Sequence, residues 1–126
     1  MAGTLSNREM ACTFLQLASS GKVDEAYDRF AAAGFRHHNP YYAGDAASLK
    51  AGMKQNAADF PNKIFEIQRS IQDGDLVAVH SKARPTPSAL GAVVVHIFRF
   101  QNSKIAELWD IGQPIPESTI NENGIL

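Results

Sequence analysis

Apolar residues in the first half of the chain recur at the three- and four-residue spacing of amphipathic helices. Ser6 and Glu9 form a capping-box pattern that predicts the start of a first helix, which Gly21 ends. A second stripe predicts a short helix, and a third predicts a helix that Asp45 caps and Pro61 ends. The stripes consist of Met10, Phe14 and Leu17, of Val23, Ala26, Tyr27 and Phe30, and of Leu49, Met53, Ala57 and Phe60.

The apolar spacing changes to two in the second half, which indicates β-strands. Asp73-Gly74 predicts a tight turn, and a three-residue loop from Gln101 to Ser103 is expected between the last two strands. The predicted strands cover Phe35 to Asn39, Phe65 to Ile71, Leu76 to Arg84, Ala92 to Phe100 and Lys104 to Gly112.

This order of elements predicts an α+β fold with N-terminal helices packed on the concave face of a curved, cone-shaped antiparallel sheet. The wide end of such a sheet leaves a cavity for a small molecule. The 126 residues fit one domain, residues 1–126, of which 114–126 form a tail.

Charge and cysteine content narrow the choice of function. The 12 Lys and Arg residues are scattered among 13 Asp and Glu residues, so no nucleic-acid partner is expected. The longest apolar stretch, Leu90 to Ile97, is too short to span a membrane. Cys12 is the one cysteine, which excludes a disulfide within the chain. Residues 1–8 lack the build of a signal peptide, so we expect a cytoplasmic protein.

His96 and Asp110 are the best-placed candidates for chemistry. With a three-residue loop, Phe100 faces Lys104, and Asp110 lies diagonally opposite His96 on the same face. A loop of even length would place the two side chains on opposite faces. A carboxylate beside an imidazole in a cavity suits general acid–base catalysis, and a structural pair is an equally weighted alternative.

Four further residues are candidates for contacting a substrate. His80 faces the cavity if its strand face is the concave one, and His38 lies at the end of the early strand. Tyr42 offers a hydroxyl at the rim, although packing of its ring is the favoured alternative. Phe98 shares the face of His96 and helps to set the volume of the pocket.

A metal or organic cofactor is not expected. His38, His80, His96 and Asp110 include the residue types of a two-histidine, one-carboxylate site, but none occurs at the spacing of a metal motif. The sequence also lacks glycine-rich phosphate loops, nucleophile elbows and dinucleotide fingerprints.

Four segments carry a family resemblance. They are Phe35-Arg36-His37-His38-Asn39-Pro40, Asp75-Leu76-Val77-Ala78-Val79-His80, Val95-His96-Ile97-Phe98-Arg99-Phe100 and Lys104-Ile105-Ala106-Glu107-Leu108-Trp109-Asp110. With them the chain resembles the SnoaL-like polyketide cyclase group of the nuclear-transport-factor-2-like superfamily, over about residues 6–113.

The resemblance implies a cystatin-like α+β barrel that dimerises through the outer face of its sheet. It also implies ring closure by aldol condensation without a cofactor, with His96 and Asp110 as the acid and base. Asp110 would then take or return the substrate proton, while His96 hydrogen-bonds the enolate oxygen or orients Asp110. Trp109 and Glu107 are expected on the outer face, where a homodimer interface or the C-terminal tail would cover them.

We therefore expect a cofactor-independent acid–base enzyme that acts on a small apolar or carbonyl-containing molecule, as an aldol-type cyclase, lyase or isomerase. The alternative is a non-catalytic domain of the same fold that binds a small ligand or serves in dimerisation.

Overall fold

Residues 4–126 are described by the structure, a computed structural model, and residues 1–3 of the expected domain lie outside the described residues. The elements, in chain order, are α1 Asn7–Ser19, α2 Val23–Phe30, β1 Ala31–His37, α3 Ala46–Asp59, β2 Ile64–Asp73, β3 Leu76–Arg84, β4 Ala92–Gln101 and β5 Lys104–Pro114.

Local hydrogen bonds set the predicted helix starts. The Glu9 amide donates to Ser6 Oγ at 3.1 Å, and the Ser6 amide donates to the Glu9 carboxylate at 2.9 Å. Asp45 accepts from the amide of Ser48 at 3.0 Å at the start of α3. Each cap satisfies an amide that has no partner within its helix.

The strands form one mixed sheet in the order β1-β5-β4-β3-β2. The four later strands pair antiparallel as expected. At the edge of the sheet, β1 pairs with β5 in the parallel direction, with His37 opposite Leu108. The α+β fold class is confirmed, and the parallel edge strand is the feature that the sequence did not predict.

The turn between β4 and β5 differs from the expected three-residue loop. Asn102 and Ser103 alone form it, with φ of 53° and 61°. Positive φ at both central residues is the geometry of a two-residue hairpin turn. Gln101 consequently faces Lys104, where Phe100 was expected.

A β-bulge at Ala106 compensates for this shorter turn. Beyond the bulge, Arg99 faces Glu107 and His96 faces Asp110. An extra residue in one strand shifts the alternation of side chains by one position. His96 and Asp110 are therefore direct partners on one face instead of diagonal neighbours.

The helices pack on the concave face of the sheet. The ring of Phe14 on α1 lies 5.2 Å from that of Tyr27 on α2 and 5.9 Å from that of Phe98 on β4. Val77 and Val79 on β3 and Leu108 on β5 are fully buried in the same core. Burial of each such side chain contributes about 1.5–3 kcal/mol, which holds the layers around the cavity described below.

No helix within residues 4–126 combines the length and the apolar character needed to cross a membrane. The cytoplasmic location and the single-domain assignment stay predictions. Beyond β5 the tail begins with a hydrogen bond from the Ile115 amide to the Gly91 carbonyl at 2.9 Å.

Candidate active site

A cavity of about 650 Å³ lies between the helices and the open end of the sheet. Its wall is mainly apolar, with contributions from α1, α3 and strands β2 to β5. A volume of this size is typical of sites for small molecules. Polar and charged residues on its wall include Asn39, Tyr42, Lys63, Arg84, His96 and Asp110.

His96 and Asp110 meet at this wall. His96 Nε2 lies 3.4 Å from Asp110 Oδ1, and the two side chains are 9% and 22% exposed. This distance is long for a hydrogen bond but close enough for the two groups to interact electrostatically. The two residues of the expected pair are thus adjacent, largely shielded from water and in contact with the cavity.

Burial favours the neutral form of His96. Burial lowers the pKa of His96 below its ordinary value of 6.5, and the negative charge of Asp110 opposes that shift only in part. His96 Nδ1 is buried without a hydrogen-bond partner among the described residues. We therefore place the ring proton on Nε2, facing Asp110, because an unpaired acceptor nitrogen costs less than an unpaired buried N–H.

Asn39, which is absent from the residues expected at the site, holds the other oxygen of the same carboxylate. Its Nδ2 donates to Asp110 Oδ2 at 2.8 Å. Its Oδ1 accepts from the amide of Tyr41 at 3.0 Å, which fixes the orientation of the side-chain amide. Asp110 therefore presents one oxygen to a donor and the other to the His96 ring.

His37 holds the backbone of Asn39 in position. The buried ring of His37 accepts from the Asn39 amide at Nδ1, at 3.0 Å, and donates from Nε2 to the Ala43 carbonyl at 2.6 Å. Both ring nitrogens are thereby satisfied in one neutral tautomer. The backbone amide of His38 donates to the Leu108 carbonyl on β5 at 3.0 Å, so the parallel pairing brings this loop to Asp110.

Most of the chain matches one family of known proteins. The family model described as a SnoaL-like domain matches residues 13–108, well over half of the chain. The chain belongs to the SnoaL-like family. No curated protein matches the sequence.

Solved structures share the fold of this SnoaL-like domain. A SnoaL-like polyketide cyclase from Agrobacterium tumefaciens has a TM-score of 0.70 at 16% identity, covering 87% of this chain and 93% of its own. An uncharacterised cystatin-fold protein from Novosphingobium aromaticivorans has a TM-score of 0.71 at 19% identity, covering 86% and 99%. An NTF2-like protein of unknown function from Cytophaga hutchinsonii has a TM-score of 0.71 at 11% identity, covering 90% and 96%. At these identities the similarity establishes the fold alone.

Tyr42 lies at the cavity wall of the SnoaL-like domain, as its candidate role requires. Its ring rests on the backbone of Gly52 in α3, where a Cβ atom would overlap the ring. Glycine at this position therefore makes room for the tyrosine beside the cavity.

His80 does not face the cavity, and that expectation is wrong. The face of β3 that meets the helices carries Val77, Val79 and Ser81. His80 points to the outer face, where Arg69 donates to its Nδ1 at 2.8 Å. The strand alternates as predicted, but alternation alone does not identify which of its faces is the concave one.

His38 and Phe98 are also absent from the cavity wall, so neither is placed to contact a substrate there. His38 turns to the outer face and stacks on Trp109, with ring centroids 5.1 Å apart. Phe98 is fully buried in the core against Phe14. Phe98 is therefore a core residue and does not line the pocket.

Glu107 lies on the outer face, as expected, and is buried there by cations. It accepts from His38 Nε2 at 2.6 Å, from Arg36 Nε at 3.1 Å and from Arg99 Nε at 3.1 Å. These hydrogen bonds, that of His38 first, lower the pKa of Glu107 to about 2. The carboxylate is a structural anchor between β1, β4 and β5 and does not reach the cavity.

Within residues 4–126, no three or more His, Cys, Asp or Glu side chains are grouped to hold a metal ion. The expectation of a cofactor-free site stays a prediction.

Proposed function

We propose that the protein is a cofactor-independent acid–base enzyme that moves a proton next to the carbonyl group of a small substrate. Aldol-type cyclisation, elimination by a lyase and isomerisation all begin with this step. The observation that supports it is the Asp110 carboxylate, held by Asn39 and His96 at the wall of a mainly apolar cavity.

In this proposal Asp110 acts as the base. Its carboxylate takes a proton from the carbon beside the carbonyl, and the electron pair of that C–H bond forms an enolate. In an aldol reaction the enolate carbon attacks a second carbonyl, and the proton held by Asp110 returns to the resulting alkoxide. In an isomerase the same proton returns to a different carbon.

His96 supports Asp110 in this scheme. Its Nε2 lies beside the carboxylate at the cavity wall, and its Nδ1 is buried. Burial favours the uncharged ring, which orients Asp110 without placing a positive charge beside it.

Deuterium exchange tests the proposal with any ketone that enters the cavity. A panel of small ketones is incubated with the protein in D2O, and loss of the signals of the protons beside the carbonyl is followed by NMR. We expect exchange of at least one ketone, and Asp110→Asn should slow it by about 100-fold or more. Asp59→Asn, which changes an exposed carboxylate on α3, is the matched control.

Binding of ketones in the cavity with no exchange of protons in any of them would contradict catalysis and favour the alternative, a domain that binds a small ligand. Equal exchange in the wild type and in Asp110→Asn would exclude Asp110 as the base.

We also propose that the outer face of the sheet forms a homodimer interface. Ile71, Ala78, Ile97 and Trp109 are successive register partners and make an apolar row across four strands. Ile111 lies beside this row and is 54% exposed. A contiguous apolar surface of this kind is typical of an interaction site.

Sedimentation velocity at micromolar concentration tests the interface. We expect a dimer for the wild type, and a monomer for Ile71→Lys combined with Ile111→Lys. Ile120→Lys, a change at an exposed position of the tail, should leave the dimer intact. A monomeric wild type would overturn the proposal.

A further inference from the structure

The cavity has a second polar region besides the one around Asp110. Lys63, which precedes β2, and Arg84, which ends β3, both line it. Arg84 lies five residues along β3 from Val79, the register partner of His96. At about 3.3 Å per residue, the two regions are separated by about 16 Å of strand.

Lys63 is a half-buried cation without a carboxylate partner among the described residues. Its Nζ donates to Asn56 Oδ1, a neutral acceptor that also lines the cavity. Burial lowers the pKa of Lys63, and no neighbouring acid offsets that effect. A partly desolvated ammonium group gains most from an anion that replaces its lost hydration.

Arg84 has N–H groups that form no hydrogen bond with the described residues. Its guanidinium donates to the Pro87 carbonyl from Nη1 at 3.1 Å and forms an ion pair with the Glu66 carboxylate from Nη2 at 3.3 Å. Its Nε is buried and has no hydrogen-bond partner among the described residues. Nη1 and Nη2 each carry a second N–H group, and these are the donors that a ligand could use.

The backbone holds Arg84 in this position. Gly91, on the cavity wall, has φ of +79°, and a Cβ atom there would lie 2.8 Å from Arg84 Cγ. Glycine at position 91 therefore tolerates the positive φ and leaves room for the aliphatic part of the Arg84 side chain.

We propose that Lys63 and Arg84 bind a carboxylate group at the end of the substrate remote from its reacting carbonyl. The substrate class is therefore an oxo acid with an apolar middle, and not a neutral ketone. This inference rests on the proposed function for the position of the carbonyl, whereas the anion site itself does not.

The test uses unbranched methyl-keto acids of increasing length, spanning up to about 16 Å, each matched with its primary amide. Binding is measured by calorimetry at low ionic strength in Asp110→Asn, so that turnover plays no part. We expect at least one acid to bind about 10-fold or more tightly than its amide, since hydrogen bonds to charged groups contribute about 1.5–3 kcal/mol.

Lys63→Met and Arg84→Met should each reduce this preference, and the double variant should abolish it. Lys63→Arg should retain it, which separates loss of charge from loss of fold. Lys54→Met removes an exposed lysine that pairs with Asp24 outside the cavity, and it should change nothing.

Equal binding of acids and amides, a preference that survives in the double variant, or no binding of any acid would each overturn the carboxylate site. The proposed function fails separately, when no ketone exchanges deuterium. A preference for acids without exchange would leave an anion-binding pocket with no catalysis.

Discussion

His96 and Asp110 face each other across β4 and β5 although the two-residue turn between these strands favours opposite faces. The bulge at Ala106 restores the alternation and brings Nε2 and Oδ1 to 3.4 Å. The pair therefore depends on the register of the hairpin and not on sequence spacing alone.

The pKa of His96 should fall further in Asp110→Asn. The negative charge of Asp110 is the interaction that raises this pKa, so its removal leaves burial unopposed. The measurement is an NMR titration of the His96 ring. Asp73→Asn, at the turn before β3, should leave the titration unchanged, and a higher pKa in Asp110→Asn would contradict the arrangement.

Asn39→Ala should lower kcat about 10- to 100-fold with little change in KM, because Asn39 orients the Asp110 carboxylate. Asn39→Asp should be more harmful, since it places a second carboxylate against Asp110 Oδ2. Steady-state kinetics on a ketone found by the exchange screen gives both parameters. Asn62→Ala, an exposed change before β2, is the control. An increase in KM alone would indicate that Asn39 contacts the substrate.

Acid should destabilise the fold through Glu107. Its pKa is lowered from 4.5 to about 2 in the folded state. The unfolded chain therefore binds the proton first, and the stability contributed by Glu107 is present above pH 4.5 and is lost as the pH falls toward about 2.

Urea unfolding across this pH range measures the effect. Glu107→Gln should reduce the fall in the free energy of unfolding. At neutral pH it should cost about 1–3 kcal/mol, because Arg36 and Arg99 lose a charged partner. Glu117→Gln, in the exposed tail, should behave as the wild type does. An unchanged acid transition in Glu107→Gln would show that other groups control it.

Gly52→Ala should weaken ligand binding without loss of stability. Alanine favours a helix interior by about 1 kcal/mol over glycine, but its methyl group displaces the Tyr42 ring from the cavity wall. Thermal unfolding and calorimetry with a keto acid separate the two effects. Ala58→Gly, at an exposed position of α3, reports the helix contribution alone. Unaltered binding would mean that Tyr42 plays no part in the site.

Local chemistry explains what the sequence predicted well. Helix starts at Ser6 and Asp45 depend on residues within three positions, and the strand limits of β3 follow from alternation and flanking turns. Both the inward position of Asp110 and part of the family resemblance lie in the β4–β5 hairpin, whose two strands are close in sequence.

The errors concern relationships between distant or ambiguous segments. The parallel pairing of β1 with β5, which carries Asn39 to Asp110, joins residues about 70 positions apart. The wrong position of His80 arises because alternation along β3 separates its two faces without identifying the concave one. No proline or glycine marks the bulge at Ala106 in the sequence. The predicted turn was one residue too long and the bulge was missed. These two errors have opposite effects on the alternation of side chains, so His96 and Asp110 still share a face.

Glu107 and Asp110 belong to opposite faces of one strand, yet they depend on each other. The cations around Glu107 fix which side of β5 points outward, and so they also fix that Asp110 points inward. A substitution of Arg36 or Arg99 can therefore abolish catalysis in the cavity without altering any residue that a ligand touches. In related sequences, the outer ion cluster and the inner acid should be inherited, or lost, as one unit.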